Sequence, residues 1–277
     1  MSQPASLPPE PLVAEPLPED GQALELELAI LSRAGGRDYN EDACGHWHSD
    51  TQLCCVVADG AGGHGGGDVA SRLAVSYLID QCADAPLQSP EDLRELLLDT
   101  NAKVIRHRAD APGQREMHTT VVALFIDRVR GQALWGHAGD SRLYLFRDGA
   151  VARRTRDHSL VQSMVEAGLL RPEDTRNHPQ RSQLHSALGT APEDLRIGTC
   201  EAPLALRPGD VFLLCTDGLW EFVDDAVMLH ELAAAPDPAA WLAALEACVL
   251  AEAEAGGKTR HDNFSGIALW VTAPAQA

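Results

Sequence analysis

Residues 119–146, TTVVALFIDRVRGQALWGHAGDSRLYLF, hold three runs of strand-type residues, Thr119–Ile126, Gln132–His137 and Arg142–Phe146. Each gap between them is only four or five residues long and made of turn-type residues. Links that short join antiparallel neighbours, whereas a parallel crossover needs a dozen residues or more. Further out, Gln52–Ala58, Phe212–Thr216 and Phe264–Val271 read as buried strands. Leu24, Leu26, Leu28 and Ile30 alternate with Glu25, Glu27 and Ala29 as a half-exposed one. Helical spacing appears over Asp68–Cys82, where Val69, Leu73 and Tyr77 accompany Ala70, Ala74 and Leu78.

Ser89-Pro90-Glu91-Asp92 opens a second helix, with a serine cap, a first-turn proline and acids at the positive end. Leu93, Leu96, Leu97, Val104 and Ile105 mark its buried face. Asp237-Pro238 opens a third, carrying Trp241, Leu245 and Val249, and Ser159–Ala167 reads as a short amphipathic helix. Strands cluster and helices cluster, which predicts an α+β layered sandwich rather than a doubly wound sheet. No internal repeat of fixed period is visible.

At 277 residues and 45% hydrophobic content the chain can bury a sizeable core. A formal charge of −19 argues against nucleic acid or an anionic membrane as a main partner. It also means that an anionic substrate would need local cations to reverse the field. Residues 1–24 read as a disordered, acidic, proline-rich tail holding six of the 17 prolines, and 25–277 as the folded domain. Seven cysteines with no Cys-x-x-Cys pair suit a reducing compartment. No basic-then-apolar leader and no run of membrane-spanning length is seen, so the expectation is a cytoplasmic protein.

Three strand runs end in aspartate-glycine turns: Val56-Val57-Ala58-Asp59-Gly60, His137-Ala138-Gly139-Asp140 and Leu213-Leu214-Cys215-Thr216-Asp217-Gly218. A fourth acidic turn, His261-Asp262-Asn263, precedes the last run, and Asn40-Glu41-Asp42 lies early. One such turn is ordinary. Several carboxylates at the ends of buried strands are costly to hold together unless a cation binds them. Oxygen donors of this kind suit Mg²⁺ or Mn²⁺ rather than zinc. Six glycines in the eight residues Gly60–Gly67 permit close approach of a ligand, but the P-loop and dinucleotide spacings are both absent.

Taken in order, these motifs resemble the metal-dependent protein phosphatases, the type 2C serine/threonine family, in their compact bacterial form. The resemblance rests on Arg37-Asp38-Tyr39-Asn40-Glu41-Asp42, Asp59-Gly60-Ala61-Gly62-Gly63-His64, Thr119-Thr120, Gly139-Asp140-Ser141-Arg142, Thr216-Asp217-Gly218-Leu219-Trp220 and Asp262-Asn263-Phe264-Ser265. It implies an α/β/β/α sandwich of two antiparallel sheets, with the metal site at one edge between them. It also implies two core ions, Mn²⁺ or Mg²⁺. Asp59 would bridge them with the Gly60 carbonyl, Asp217 and Asp262 would complete the first, and Glu41 would serve the second. Asp140, sharing Asp217, would belong to a looser third. Asp42 would orient the attacking water and Arg37 would bind the substrate phosphate.

The implied partners are phosphorylated proteins and a cognate serine/threonine kinase, with the enzyme a monomer. Asp157-His158-Ser159-Leu160-Val161 and the residues after it resemble the bacterial flap beside the site. Two departures stand out. Ala61 occupies the place where many eukaryotic relatives carry an acid-donating histidine, so leaving-group protonation falls to a water or another residue; His64 and His158 are present but unassigned. His118 stands where bacterial members commonly place glycine. His46 and His48 read as exposed polar positions. The rival readings are an inactive binding or sensing module and a hydrolase of small phosphate esters.

Overall fold

The computed structural model describes residues 24–61, 66–110, 117–176, 178–257 and 261–273. The tail expected over residues 1–24 lies outside these apart from Leu24. One sheet has the order β1 (Glu25–Arg33), β13 (Phe264–Thr272), β12 (Val211–Cys215), β8 (Arg142–Arg147), β9 (Ala150–Arg154). The other has the order β10 (Gly198–Thr199), β7 (Gln132–Ala138), β6 (Val121–Asp127), β3 (Gln52–Ala58), β2 (Ala43–His48), with β11 (Leu204–Ala205) also on β7. A two-residue ladder joins β4 (Gly60–Ala61) to β5 (His118–Thr119). These pairings are antiparallel. Of the two short links expected to make hairpins, the one between β6 and β7 does so, whereas β7 and β8 fall in different sheets, because the link over Gly139, Asp140 and Ser141 crosses from one sheet to the other.

Three apolar layers hold the sandwich together. Along β3, Cys54, Val56 and Ala58 face α1 (Gly67–Asp84) and α2 (Pro90–Asp110), while Leu53, Cys55 and Val57 face the other sheet. β12 divides likewise: Leu213 and Cys215 pack with α4 (Asp217–Trp220), α5 (Asp225–Ala234) and α6 (Pro238–Ala255), whereas Phe212 and Leu214 point between the sheets. A strand buried on both faces has no polar side to show, so it reads as an unbroken apolar run. β1 is an edge strand. Leu24, Leu26 and Leu28 lean on the inter-sheet core and Leu31 packs on the α6 side. Ile30, expected to follow the other three, is 43% exposed because the inter-sheet core covers this edge only in part.

The predicted helix starts are built as read. The Asp92 backbone N–H donates to Ser89 Oγ (3.1 Å) and the Ser89 N–H donates back to Asp92 Oδ2 (3.0 Å), a reciprocal box. Asp237 accepts from Ala240 N–H at 2.8 Å, and Ser159 caps α3 (Leu160–Glu166). All seven cysteines are free. Burial pushes the Cys44 thiol up to about 12, and those of Cys54, Cys55, Cys200, Cys215 and Cys248 are raised for the same reason. Among the described residues no helix is long and apolar enough to cross a membrane.

Candidate metal centre

The strand registers bring the acidic turns to one end of both sheets. Asp42 immediately precedes β2 and Asp59 immediately follows β3, whose ends pair through Ala43 and Ala58. Asp140 lies between β7 and β8, Asp217 two residues after β12, and Asp262 two before β13. Cys215 of β12 pairs with both Arg142 and Gly266.

Hydroxyls and amides fix the backbone of this end. Asp59 N–H donates to Thr120 Oγ1 (3.0 Å), and the Asp59 carbonyl accepts from Thr119 Oγ1 (2.9 Å) and Thr120 N–H (2.8 Å). That is the structural use of the Thr119-Thr120 pair. Asn263 staples the Arg37–Glu41 loop: its Oδ1 accepts from Glu41 N–H, and its Nδ2 donates to the Ala34 and Tyr39 carbonyls. A Cβ on Gly67 would lie 2.7 Å from Glu41 Oε1 and 2.8 Å from the Gly60 oxygen, closer than side-chain carbons approach. Glycine at both ends of the glycine-rich run therefore lets Gly60, the start of α1 and Glu41 meet.

Burial in shared company makes these acids hard to ionise. Asp42 is pushed up to about 7, by burial first and then by the charges of Asp217 and Asp262, against hydrogen bonds from Ser265 and Thr216. Asp217 is also pushed up to about 7, by burial and by Glu221 and Asp262. Asp59 and Asp140 are raised well above the usual carboxylate range by burial and then by Asp217, and Asp59 shares a hydrogen bond with Asp217. Glu41 is raised by burial and by Asp68. Among the described residues, four carboxylate oxygens, Glu41 Oε1, Asp42 Oδ1, Asp68 Oδ1 and Asp217 Oδ1, are buried without a hydrogen-bond partner.

Crowded, partnerless, oxygen-only donors fit a hard divalent cation. Among the described residues no three of them yet converge on one liganding point. Asp59 is turned to Asp217, and Arg37 Nη2 holds Asp262 Oδ2 at 2.8 Å on the exposed rim.

Asp68 joins these acids without standing at a strand-end turn; its signal in the sequence is an acid in the first turn of the helix that follows the glycine run. The histidines sort clearly. His158 Nδ1 accepts from Gly139 N–H (3.3 Å) and its ring stacks on His137 at 4.6 Å. Burial and that neighbour push His158 down to about 4, leaving a neutral ring. His118 is the register partner of Ala61, so the two departures from the family pattern sit side by side. His46 and His48 are exposed, as expected. His64 lies outside the described residues.

Known proteins share both sequence and architecture. The profile of the protein phosphatase 2C family matches residues 32–253. The serine/threonine phosphatase stp of Listeria monocytogenes is 34% identical over 198 residues, 69% of this chain and 77% of that protein. The crystal structure of the Mycobacterium tuberculosis serine/threonine phosphatase PstP/Ppp has 31% identity and a TM-score of 0.74, covering 89% of this chain and 99% of that one. The catalytic domain of the phosphatase PstP in complex with two manganese ions has 29% identity and a TM-score of 0.74, covering 90% and 99%. The chain belongs to the protein phosphatase 2C family and is a protein phosphatase.

Proposed function

We propose that the chain hydrolyses phosphoserine and phosphothreonine esters on proteins. In this reading Asp59, the Gly60 carbonyl, Asp217 and Asp262 hold one divalent ion, Asp59 and Glu41 a second, and Asp140 with Asp217 a third. The observation that carries it is the set of partnerless buried oxygens on Glu41, Asp42 and Asp217 around Asp59. A bound dication balances that buried charge where no guanidinium does. The names of the similar bacterial phosphatases, and the manganese in one of them, point the same way.

Bound Mn²⁺ or Mg²⁺ would activate the attacking water and neutralise charge on the phosphoryl oxygens. Asp42 does the proton work. Its Oδ2 is fixed by Thr216 Oγ1 at 3.0 Å and, among the described residues, its Oδ1 has no partner, so that oxygen would orient the attacking water and accept its proton. Arg37 is exposed and tied to Asp262 through Nη2, leaving Nε and Nη1 to bind phosphate oxygens. No Cys-x₅-Arg sequence is present to form a phosphocysteine. Seven free cysteines support a cytoplasmic location. There the enzyme would act as a monomer opposite a serine/threonine kinase.

The test is hydrolysis of a phosphothreonine peptide by protein stripped with a chelator. Activity should be absent, return with Mn²⁺, and fall by about a thousandfold or more in Asp59→Asn, the loss of several kcal/mol of metal stabilisation. Hydrolysis persisting in chelated Asp59→Asn would overturn the mechanism. Tight peptide binding without turnover would point to a binding module instead. Turnover of p-nitrophenyl phosphate alone would point to a small-ester hydrolase.

A further inference from the structure

A buried polar network with no role in the chemistry above lies where the chain leaves β9 for the excursion over residues 157–197. His158 N–H donates to the Gly139 carbonyl at 2.9 Å, while Gly139 N–H donates to His158 Nδ1 at 3.3 Å. Gly139 directly precedes Asp140. It has φ +105°, and a Cβ there would lie 2.7 Å from the Thr120 side chain, so the turn has no slack.

On the far side of Asp140, Trp220 Nε1 donates to the Asp140 carbonyl at 3.0 Å. The Trp220 ring lies 3.4 Å from the Arg142 guanidinium. Arg142 in turn grips Asp157 through Nε (2.8 Å) and Nη2 (2.7 Å), with both side chains nearly buried. Two consecutive residues at the foot of the excursion, Asp157 and His158, therefore reach the backbone on either side of Asp140.

The rest of the excursion closes back on the same foot. Leu160 N–H donates to the Gln183 carbonyl and His185 N–H to the His158 carbonyl, each at 2.8 Å. Arg176 Nη2 donates to the Trp220 carbonyl at 2.9 Å, and Arg181 pairs with Glu221 at 2.7 Å. The return limb ends on the other deep carboxylate: Leu188 and Thr119 exchange backbone hydrogen bonds, and Thr119 Oγ1 holds the Asp59 carbonyl.

We infer that His158 is a positioning residue: with the Arg142–Asp157 pair and Trp220 it locks the excursion to the backbone on both sides of Asp140, so that displacing the excursion displaces that carboxylate. Packed elements joined at two points shift together rather than bend between them. The inference rests on placing Asp140 among the metal ligands.

Three variants test it. His158→Ala removes the acceptor and the stacking partner. His158→Asn keeps an acceptor oxygen near the place of Nδ1. Trp220→Phe keeps an aromatic face for Arg142 and removes only the donor to Asp140. The first measurement is amide hydrogen exchange in chelator-stripped protein, over peptides spanning residues 139–146 and 158–176. Trp220→Phe should speed exchange about fivefold, the worth of one hydrogen bond, in both peptides although the lost bond lies on the Asp140 side. His158→Ala should do at least as much, and His158→Asn should return both peptides toward wild type.

The second measurement is Mn²⁺ titration of phosphothreonine-peptide hydrolysis. Half-saturating Mn²⁺ should rise about tenfold in His158→Ala, as expected for the loss of a supporting contact to a metal ligand, and be restored in His158→Asn. Exchange in Trp220→Phe confined to residues 139–146, or an unchanged Mn²⁺ requirement in His158→Ala, would overturn the coupling and leave His158 a simple staple of the fold. A wild-type chain with no Mn²⁺ dependence would instead remove the functional reading, and the exchange measurement would still decide whether the joint exists.

Discussion

Strands β8 and β12 lie side by side, and aspartates mark both ends of the pair. At one end Asp210 accepts from Arg147 Nε (2.7 Å) and Nη2 (2.8 Å) and from Arg207 N–H (2.8 Å), with its side chain 1% exposed. At the other end Asp140 is buried and Asp217 half-buried, and among the described residues neither is paired with a guanidinium. Arg142, which lowers Asp140 a little by its charge, is committed to Asp157. The residue type and the strands are alike. What differs is whether a fixed cation answers the charge, and that difference separates an acid that holds the fold from acids left with uncompensated charge.

The widest separation between the two ends should appear in stability. Asp210→Ala takes the carboxylate partner from the Arg147 guanidinium and should destabilise the protein by about 3 kcal/mol in denaturant titration, with the Mn²⁺ requirement unchanged. Asp217→Asn should do the reverse. It removes a strained charge, so the chelator-stripped protein should gain roughly 2 kcal/mol at pH 8 while losing turnover. Matching signs for the two substitutions would break the contrast.

pH sharpens it next. The folded-state pKa of Asp42 and of Asp217 is near 7, above the ordinary value of 3.8, so the folded protein binds more protons than the unfolded chain between those limits. Their contribution is fully present below pH about 4 and is lost as pH rises through about 7. Stripped protein should therefore lose on the order of 1 kcal/mol per pH unit across that window. Saturating Mn²⁺ should flatten the slope, and a slope of opposite sign in stripped protein would refute the assignment.

The smallest effect belongs to the rim. Arg37 and Asp262 are both about half exposed, at 51% and 49%. Arg37→Ala should leave stability within about 0.5 kcal/mol. It should raise KM for a phosphopeptide about tenfold, from the lost charge-assisted contact to phosphate.

The same contrast explains what the sequence disclosed. β3, β6, β12 and β13 were legible because burial on both faces leaves unbroken runs, and Ser89 and Asp237 because a cap needs its oxygen at a fixed spacing. Asp59, Asp140 and Asp217 were legible by their strand-end turns. Asp210 ends a Pro-Gly-Asp turn before a strand and looks much like them. Its guanidinium partner lies 63 residues away and is chosen by strand register, which local spacing does not reveal. Trp220 on the Asp140 carbonyl and Asp157 on Arg142 escaped for the same reason, since both bonds cross between elements. Ile30 is more exposed than its alternation predicts, because alternation gives the face of a strand but not how far the opposite sheet extends over it.

The raised thiols have a consequence of another kind. Peroxide attacks thiolates, and phosphatases built on a nucleophilic cysteine are silenced by it because their mechanism needs that thiolate. Burial raises six of the seven cysteine thiols above their ordinary value. Signalling through this enzyme should accordingly continue through an oxidative burst that would stop a cysteine-dependent one.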